Sequence, residues 1–194
     1  MTISNLRLHA YGHALFGGRS ISLKLCAGVV NVIVAANGAG KSVLLDVLAK
    51  RLRLKLGDSV IWHGIRSSRD VAYLPQQLFS VDDIFLGPFI TLAFGGVHSL
   101  DPLLDRYRVW AKGGRRLRNL SGGQRQLLMF LAVRCQRQRV HFYDEPFRYL
   151  DDGSRSSVWH ELDTLAQEGN LVAITNHESI DFSSHTRARV HVLD

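Results

Sequence analysis

The sequence is poor in cysteine and proline. Only two of its 194 residues are cysteine and four are proline. Two cysteines cannot build a disulfide framework, and Cys26 and Cys135 lack metal-ligand spacing, so we expect a buried, reduced pair inside the cell. Few prolines and a hydrophobic content of 46% exclude a disordered chain.

Long apolar runs are also missing. The longest uncharged run, residues 84–97 (IFLGPFITLAFGGV), has 14 residues, whereas a helix that spans a bilayer needs about 20. The N-terminal residues MTISNLRLHAYGHA lack the apolar core of a secretory signal. We therefore expect a soluble, cytosolic protein.

Acidic residues are outnumbered by basic ones. The chain has 24 Lys and Arg against 17 Asp and Glu, which gives a formal charge of +7. This surplus favours an anionic partner. A nucleotide, a nucleic acid and an acidic membrane surface would each satisfy it, and charge alone does not separate the three.

The sequence does contain alternating strand and helix patterns. The segments LRLHAY (6–11) and SISLKL (20–25) alternate apolar and polar residues, as half-buried antiparallel strands do. VVNVIVA (29–35) is continuous and β-branched, which is typical of a strand buried on both faces. Further along, helices at 122–135 and 157–169 alternate with strands at 139–145, 171–175 and 189–193, which predicts a parallel α/β core. Ser121 is a suitable N-cap for the first helix, and Gly169 a stop for the second.

A glycine-rich loop follows the strand at 29–35. AANGAGKSV (35–43) fits the phosphate-binding pattern G-x-x-x-x-G-K-[ST] except at Ala35. Gly38 and Gly40 let backbone N–H groups curl around phosphate, and the next helix points its positive end there. Lys41 would reach the terminal phosphates and Ser42 would hold Mg²⁺. If Ala35 had to adopt a positive φ, the strain would cost about 1 kcal/mol.

Four further motifs accompany this loop. Gln76 ends a strand in LPQQ, and LSGGQRQ (120–126) opens a helix whose N-terminus could bind an anion. VHFYDEP ends a strand with Asp144 and Glu145, and AITNHES places His177 after another strand. Each motif alone could be an ordinary polar strand end, but their order and spacing together are not expected by chance.

In this order the motifs resemble those of the nucleotide-binding domain of ABC ATPases, over nearly the whole chain. The resemblance implies an α/β fold: a P-loop NTPase (RecA-like) core with an antiparallel β subdomain and a short helical subdomain. It also implies one domain over residues 1–194, with the helical subdomain inserted at about 78–135. Two substitutions depart from the family pattern. Ala35 replaces a glycine, and Val43 replaces a threonine whose hydroxyl touches the α-phosphate, so we expect weaker ATP binding.

The resemblance implies a role for each site residue. Glu145 would be the general base, His177 the switch histidine on the γ-phosphate, and Gln76 the sensor of Mg²⁺, γ-phosphate and the membrane partner. Tyr11 would stack on adenine, with Phe16 as the weaker alternative. The other implied ATP contacts are Asn37, Gly38, Ala39, Gly40, Lys41, Ser42 and Val43. The implied Mg²⁺ ligands are Ser42, Gln76 and Asp144. The implied signature residues, which act on a second subunit, are Ser121, Gly122, Gly123 and Gln124, and the implied D-loop aspartate is Asp151.

The implied function is that of the ATP-hydrolysing subunit of an ABC transporter, with ATP and Mg²⁺ as cofactors. Its implied partners are a second nucleotide-binding subunit and separate transmembrane subunits, and it would lie on the cytoplasmic face of the cell membrane. The alternative is a soluble ABC ATPase that acts on nucleic acid or ribosomes. The basic segment 106–118 (RYRVWAKGGRRLR) could bind single strands, but it suits anionic lipid headgroups as well, and nucleic acid is not the expected partner.

Four phenylalanines follow Gln76 or lie near it, at positions 79, 85, 89 and 94. They could pack the core of the helical subdomain. The hypothesis taken from the resemblance is that one or two of them are exposed and receive a helix of the membrane subunit.

Overall fold

The computed structural model describes residues 2–6, 9–10, 13–52, 59–61, 65–76, 83–94, 114–176 and 188–193. Short 3₁₀ turns precede some of its strands and helices. The strands are β1 (Thr2–Leu6), β2 (His9–Ala10), β3 (His13–Ala14), β4 (Ile21–Lys24), β5 (Val30–Val34), β6 (Ser59–Ile61), β7 (Val71–Leu74), β8 (Val140–Asp144), β9 (Leu171–Asn176) and β10 (Ala188–Val192); the helices are α1 (Lys41–Leu48), α2 (Leu86–Phe94), α3 (Gly122–Arg134) and α4 (Asp152–Gln167).

Five strands form a parallel sheet in the order β10–β5–β9–β8–β7. Every neighbouring pair in it is parallel, so the carboxyl ends of all five strands lie at one edge. The glycine-rich loop follows β5, Gln76 follows β7, and Glu145 follows β8. Ligands of open parallel sheets bind at this edge, and the fold therefore brings these three motifs together there.

Both faces of this sheet are buried at its inner strands. On β5, Val32 packs into the cluster that contains α3 and α4, while Ile33 packs into the cluster that contains α1. On β8, Tyr143 packs into the cluster that contains α3 and α4, and Phe142 packs into the cluster that contains α1. Because neighbouring residues of a strand face opposite sides, a sheet covered on both sides needs continuous apolar strands, as the sequence has.

A smaller antiparallel sheet has the order β4–β1–β6, which confirms the predicted antiparallel β part of the fold. The prediction of one strand over 6–11 is wrong for the described residues: Leu6 belongs to β1, whereas His9–Ala10 pairs with His13–Ala14 in a separate antiparallel ladder. Residues 7, 8 and 11 of that segment lie outside the described residues. The strand lies nearer the N-terminus because β1 pairs with β4 and β6 at once, and alternation of residues does not reveal such partners.

The helices after the basic segment have clear end signals. The Ser121 side chain accepts the Gln124 amide N–H at 3.2 Å and caps α3 as predicted. Helix α4 begins at Asp152 rather than at 157, because Asp151 caps it by accepting the Ser154 amide at 2.7 Å. The first turns of α4 are polar, so apolar spacing could not locate this start. Gly169, with φ +85°, follows its end as predicted.

Two further predictions concern exposure. Neither cysteine forms a disulfide, but the prediction that both are buried is wrong. Cys26 is partly buried, and Cys135 is exposed, since it follows the last buried turn of α3. Phe94 is buried, Phe89 packs against the core, and Phe85 is exposed, whereas Phe79 lies outside the described residues.

Among the helices described, none combines the length and apolar character needed to cross a membrane.

Candidate functional site

The loop between β5 and α1 depends on its glycines. Gly38 and Gly40 have φ values of +76° and +115°, a region that side chains with a β-carbon disfavour. A β-carbon on Gly40 would also lie 2.8 Å from Cδ1 of Leu15. The amide of Phe16 donates to the Ala39 carbonyl at 2.8 Å. The segment at Leu15 therefore packs directly on the loop, and Gly40 has two independent reasons to be glycine.

Ala35 carries none of the strain that its position suggested. It does not adopt a positive φ. Its side chain is 5% exposed and packs in the cluster that contains Leu44 and Leu48 of α1. The alanine is therefore an apolar contact at the base of the loop.

Lys41 is the first residue of α1, and its side chain bonds back to the start of the loop. Its Nζ donates to the carbonyls of Ala35 and Ala36 at 2.8 and 3.0 Å. Burial lowers the pKa of Lys41, and the negative charges of Glu145 and Asp144 oppose that change. A cation is thus held between the loop and two carboxylates, where a phosphate group would interact with it.

The loop residues share one cleft with residues from two other strands. The cleft has a volume of about 430 Å³. Gln76, after β7, and Glu145, after β8, line it together with Lys41. The remaining lining residues are Leu15, Asn37, Gly38, Gly40, Ser42, Val43 and Arg148.

Asp144 is a buried carboxylate at the end of β8. Its Oδ1 accepts a hydrogen bond from the Thr175 hydroxyl at 2.5 Å. Its Oδ2 is buried without a hydrogen-bond partner in the part of the chain that the structure describes. Burial raises the pKa of Asp144, while the Ser42 and Thr175 hydroxyls favour its charged form.

These oxygen atoms fit Mg²⁺. A buried carboxylate oxygen with no described partner needs a proton or a cation to offset the cost of burying its charge. Mg²⁺ prefers oxygen ligands, and Asp144, the Ser42 hydroxyl and the Gln76 amide oxygen are of this kind. The chemistry of the donor set therefore matches the three predicted ligands.

Glu145 has an unusual backbone conformation. Its φ is +50°, in the left-handed region that costs a non-glycine residue of order 1 kcal/mol or more. Its amide donates to the Thr175 hydroxyl at 3.0 Å. Its carbonyl accepts from the Arg148 amide at 3.1 Å and from Nε2 of Gln126 at 3.4 Å. Three hydrogen bonds therefore hold this peptide in place beside the cleft.

The signature residues lie elsewhere. Ser121, Gly122, Gly123 and Gln124 are not among the residues that line the cleft, nor is Asp151. Ser121 and Gln124 bond to each other, since the Ser121 amide donates to Oε1 of Gln124 at 2.9 Å. Asp151 accepts the Ser154 amide, which lowers its pKa. In this chain these side chains cap α3 and α4.

Two predicted site residues, Tyr11 and His177, lie outside the described residues. The weaker alternative to Tyr11 is excluded by its burial. Phe16 is only 3% exposed and packs in the core with α1, so its ring cannot stack on a nucleotide base.

Several residues of the site were not predicted from the sequence. Arg148 lines the cleft, and its guanidinium lies 4.8 Å from the centre of the Tyr149 ring. Thr175 bonds to Asp144 and Glu145 at the end of β8, and Gln126 donates to the Glu145 carbonyl. A parallel register of β8 and β9 would have indicated Thr175, because it pairs with Asp144, but the sequence alone does not specify that register.

Part of the basic segment is engaged within the chain. Residues 106–113 lie outside the described residues, but Nη1 of Arg118 lies 2.6 Å from Oδ1 of Asp83. Nη1 of Arg116 donates to the Asp83 carbonyl at 2.5 Å, and its guanidinium lies 4.0 Å from the centre of the Phe85 ring. These two cations thus have intramolecular partners.

Comparison with known proteins agrees with this geometry. A protein-family model described as ABC transporter matches residues 19–148. A metal transport system ATP-binding protein of Chlamydia trachomatis is 30% identical over 191 residues, covering 89% of this chain and 72% of that protein. The daunorubicin resistance ATP-binding protein DrrA3 of Streptomyces coeruleorubidus is 28% identical over 189 residues, covering 90% of this chain and 59% of that protein.

Solved structures share the fold. An ABC transporter ATP-binding protein from Pyrococcus furiosus superposes with a TM-score of 0.76 at 18% identity, covering 99% of this chain and 96% of that one. The curated relatives are often longer: the chain spans 59% of DrrA3 and 51% of a doxorubicin resistance protein of Mycobacterium tuberculosis.

Proposed function

The chain belongs to the ABC transporter family as an ABC-type nucleotide-binding domain, and on that premise we propose that it binds ATP with Mg²⁺ and hydrolyses it to drive transport. The observation that carries this proposal is the shared cleft. Lys41 and Ser42 from the loop meet Gln76 and Glu145 there, at the carboxyl edge of the parallel sheet. Anion-binding and carboxylate groups from three strands in one cleft are what phosphoryl transfer to water requires.

The residues would divide the work as follows. The loop amides and Lys41 hold the terminal phosphates and neutralise their charge. Ser42, Asp144 and Gln76 would hold Mg²⁺, which when bound offsets the charge of the phosphate oxygens. Glu145 accepts the proton of the attacking water, and its fixed peptide keeps the carboxylate at the cleft.

The signature residues would complete the site of a second nucleotide-binding subunit. Ser121, Gly122 and Gly123 begin α3 away from the cleft of their own chain. A helix N-terminus offers amides and a positive dipole end to the γ-phosphate of a neighbouring subunit. ATP would then join two subunits, and hydrolysis would separate them.

The partners would be transmembrane subunits, with this chain on the cytoplasmic face of the membrane. Its relatives are named for metal transport and for daunorubicin resistance. Because similar ATP-binding proteins serve such different cargoes, we assign substrate choice to the membrane subunits. Phe85, just before α2, and Leu92, within α2, are exposed and are candidates for contact with such a subunit.

ATP turnover of the purified protein tests the proposal, measured beside the variant Glu145→Gln. We expect Mg²⁺-dependent turnover that falls about a hundredfold or more in the variant, because the carboxylate that acts as general base is lost while the size and shape of the side chain are nearly kept. We also expect the variant to form a stable dimer with ATP, recorded by size-exclusion chromatography with light scattering.

Asp163→Asn is the matched control, since it makes the same kind of change on α4, where Asp163 bonds to Gln167 outside the cleft. It should leave turnover and oligomer size unchanged. A wild type that binds no ATP would contradict the proposal, as would equal turnover in wild type and Glu145→Gln.

A further inference from the structure

One buried hydroxyl joins the two carboxylate residues at the end of β8. Thr175 lies on β9 and pairs in register with Asp144 on the neighbouring strand. Its Oγ1 donates to Oδ1 of Asp144 and accepts the amide of Glu145 at 3.0 Å. The side chain is fully buried.

The direction of both hydrogen bonds follows from the groups involved. The Glu145 amide can only donate, so the hydroxyl oxygen must accept there. The single hydroxyl proton is then available for the carboxylate of Asp144. Oδ1 is thereby occupied, and Oδ2 is the oxygen with no partner in the described part of the chain. The hydroxyl thus determines which carboxylate oxygen is left for a cation.

We propose that Thr175 is a positioning residue for the reaction. Its hydroxyl fixes the carboxylate of Asp144 for Mg²⁺ and holds the left-handed peptide of Glu145 beside the cleft. The inference rests on the proposed function, because Asp144 would hold Mg²⁺ and Glu145 would act on the water that attacks ATP. Groups that orient metal ligands from behind commonly change metal affinity or activity 10- to 100-fold when they are removed.

Two substitutions separate the hydroxyl from the packing of the side chain. Thr175→Val keeps the shape and removes the hydroxyl, while Thr175→Ser keeps the hydroxyl and removes a methyl group. Thr164→Val is the control for a lost threonine hydroxyl, since the Thr164 hydroxyl donates to the His160 carbonyl of its own helix, away from the cleft. If the valine variant does not fold, Thr175→Ala takes its place, because it also lacks the hydroxyl and is smaller.

The measurements are the thermal midpoint, ATP affinity with and without Mg²⁺ from titration of a fluorescent ATP analogue, and kcat and KM for ATP. For Thr175→Val we expect a rise of about tenfold or more in the Mg²⁺ concentration that half-saturates binding, and a similar fall in kcat. Metal-free ATP affinity should stay within about twofold, since the loop and Lys41 are intact. Thr175→Ser should recover most of both losses.

Several results would overturn the inference. A folded Thr175→Val with wild-type Mg²⁺ dependence and kcat would show that the hydroxyl is dispensable. Equal impairment of the serine and valine variants would assign the effect to methyl packing. A wild type that binds Mg²⁺ and nucleotide without turnover contradicts the proposed hydrolysis, yet the Mg²⁺ titration still decides the role of Thr175. A wild type that binds no nucleotide overturns both proposals.

Discussion

The carbonyl oxygen of Tyr149 lies 2.6 Å from the position that a β-carbon on Gly123 would occupy. Real β-carbons do not approach a backbone atom so closely, so any side chain here must displace the helix or the loop. Gly123 belongs to the start of α3, and Tyr149 lies in the segment that follows Glu145 after β8. The glycine of the signature therefore has a packing role within its own chain, besides any role toward a second subunit.

We predict that Gly123→Ala destabilises the protein by about 1 to 3 kcal/mol, as overpacked sites do. Gly122→Ala is the matched control, because its β-carbon would meet the Tyr149 side chain at an ordinary 3.5 Å. Denaturant unfolding followed by circular dichroism measures both. Equal stability of the two variants would refute the close contact.

A second prediction concerns the unusual first position of the phosphate loop. Ala35→Gly should lower the free energy of unfolding by about 1 to 2 kcal/mol, because it removes a buried methyl group and makes the unfolded chain more flexible. ATP affinity should change less than about twofold, since Ala35 carries no backbone strain. Calorimetric ATP titration and denaturant unfolding check the two parts. A clear gain in affinity would show that alanine does impair the loop.

A third prediction follows from a buried histidine on β8. Nε2 of His141 lies 2.7 Å from the Gln138 carbonyl, which can only accept, so Nε2 donates there. Nδ1 lies 3.3 Å from the Tyr143 hydroxyl and can accept from it when the ring is neutral. Burial lowers the pKa of His141 and Arg134 adds to the effect, whereas the Gln138 carbonyl and Glu168 oppose it.

Because the pKa of His141 is lowered in the folded protein, the free energy of unfolding should decrease as the pH falls. Well above pH 6.5, from about pH 7.5 upward, the ring is largely neutral in both folded and unfolded chains, and its contribution to stability is complete. As the pH falls below 6.5 the unfolded chain binds a proton that the folded chain does not, so stability falls. We expect the free energy of unfolding of His141→Gln to decline less between pH 7 and pH 5.5 than that of the wild type. Comparison of each protein with its own value at pH 8 removes the packing cost of the substitution, and parallel profiles would contradict the prediction.

Much of the site could be predicted from the sequence, because its chemistry is concentrated in short motifs. The α/β fold, the loop before α1 and the strand that ends in Asp144 and Glu145 follow from apolar periodicity and local residue types. Loop glycines with positive φ and the Ser121 cap are local features as well, and they depend on neighbours in the chain. Such signals can be recognised in the sequence without knowledge of the tertiary structure.

Other features depended on contacts between distant segments. The position of β1 follows from its two antiparallel partners, and the burial of Phe16 from its packing against α1. The sequence suggested strain at Ala35, but the fold places the residue in a buried, unstrained position. The roles of Thr175 and Gly123 come from strand register and close packing.

The sequence by itself thus determined which groups can bind phosphate, coordinate Mg²⁺ and accept a proton, since those abilities belong to residue types and to short spacings. Only the tertiary structure decided which oxygen of Asp144 is left without a partner, how the Glu145 peptide is held and why Gly123 is glycine. The physical reason is that hydrogen bonds and steric contacts act over a few ångströms in space between residues far apart in the chain: Thr175 and Asp144 are 31 positions apart.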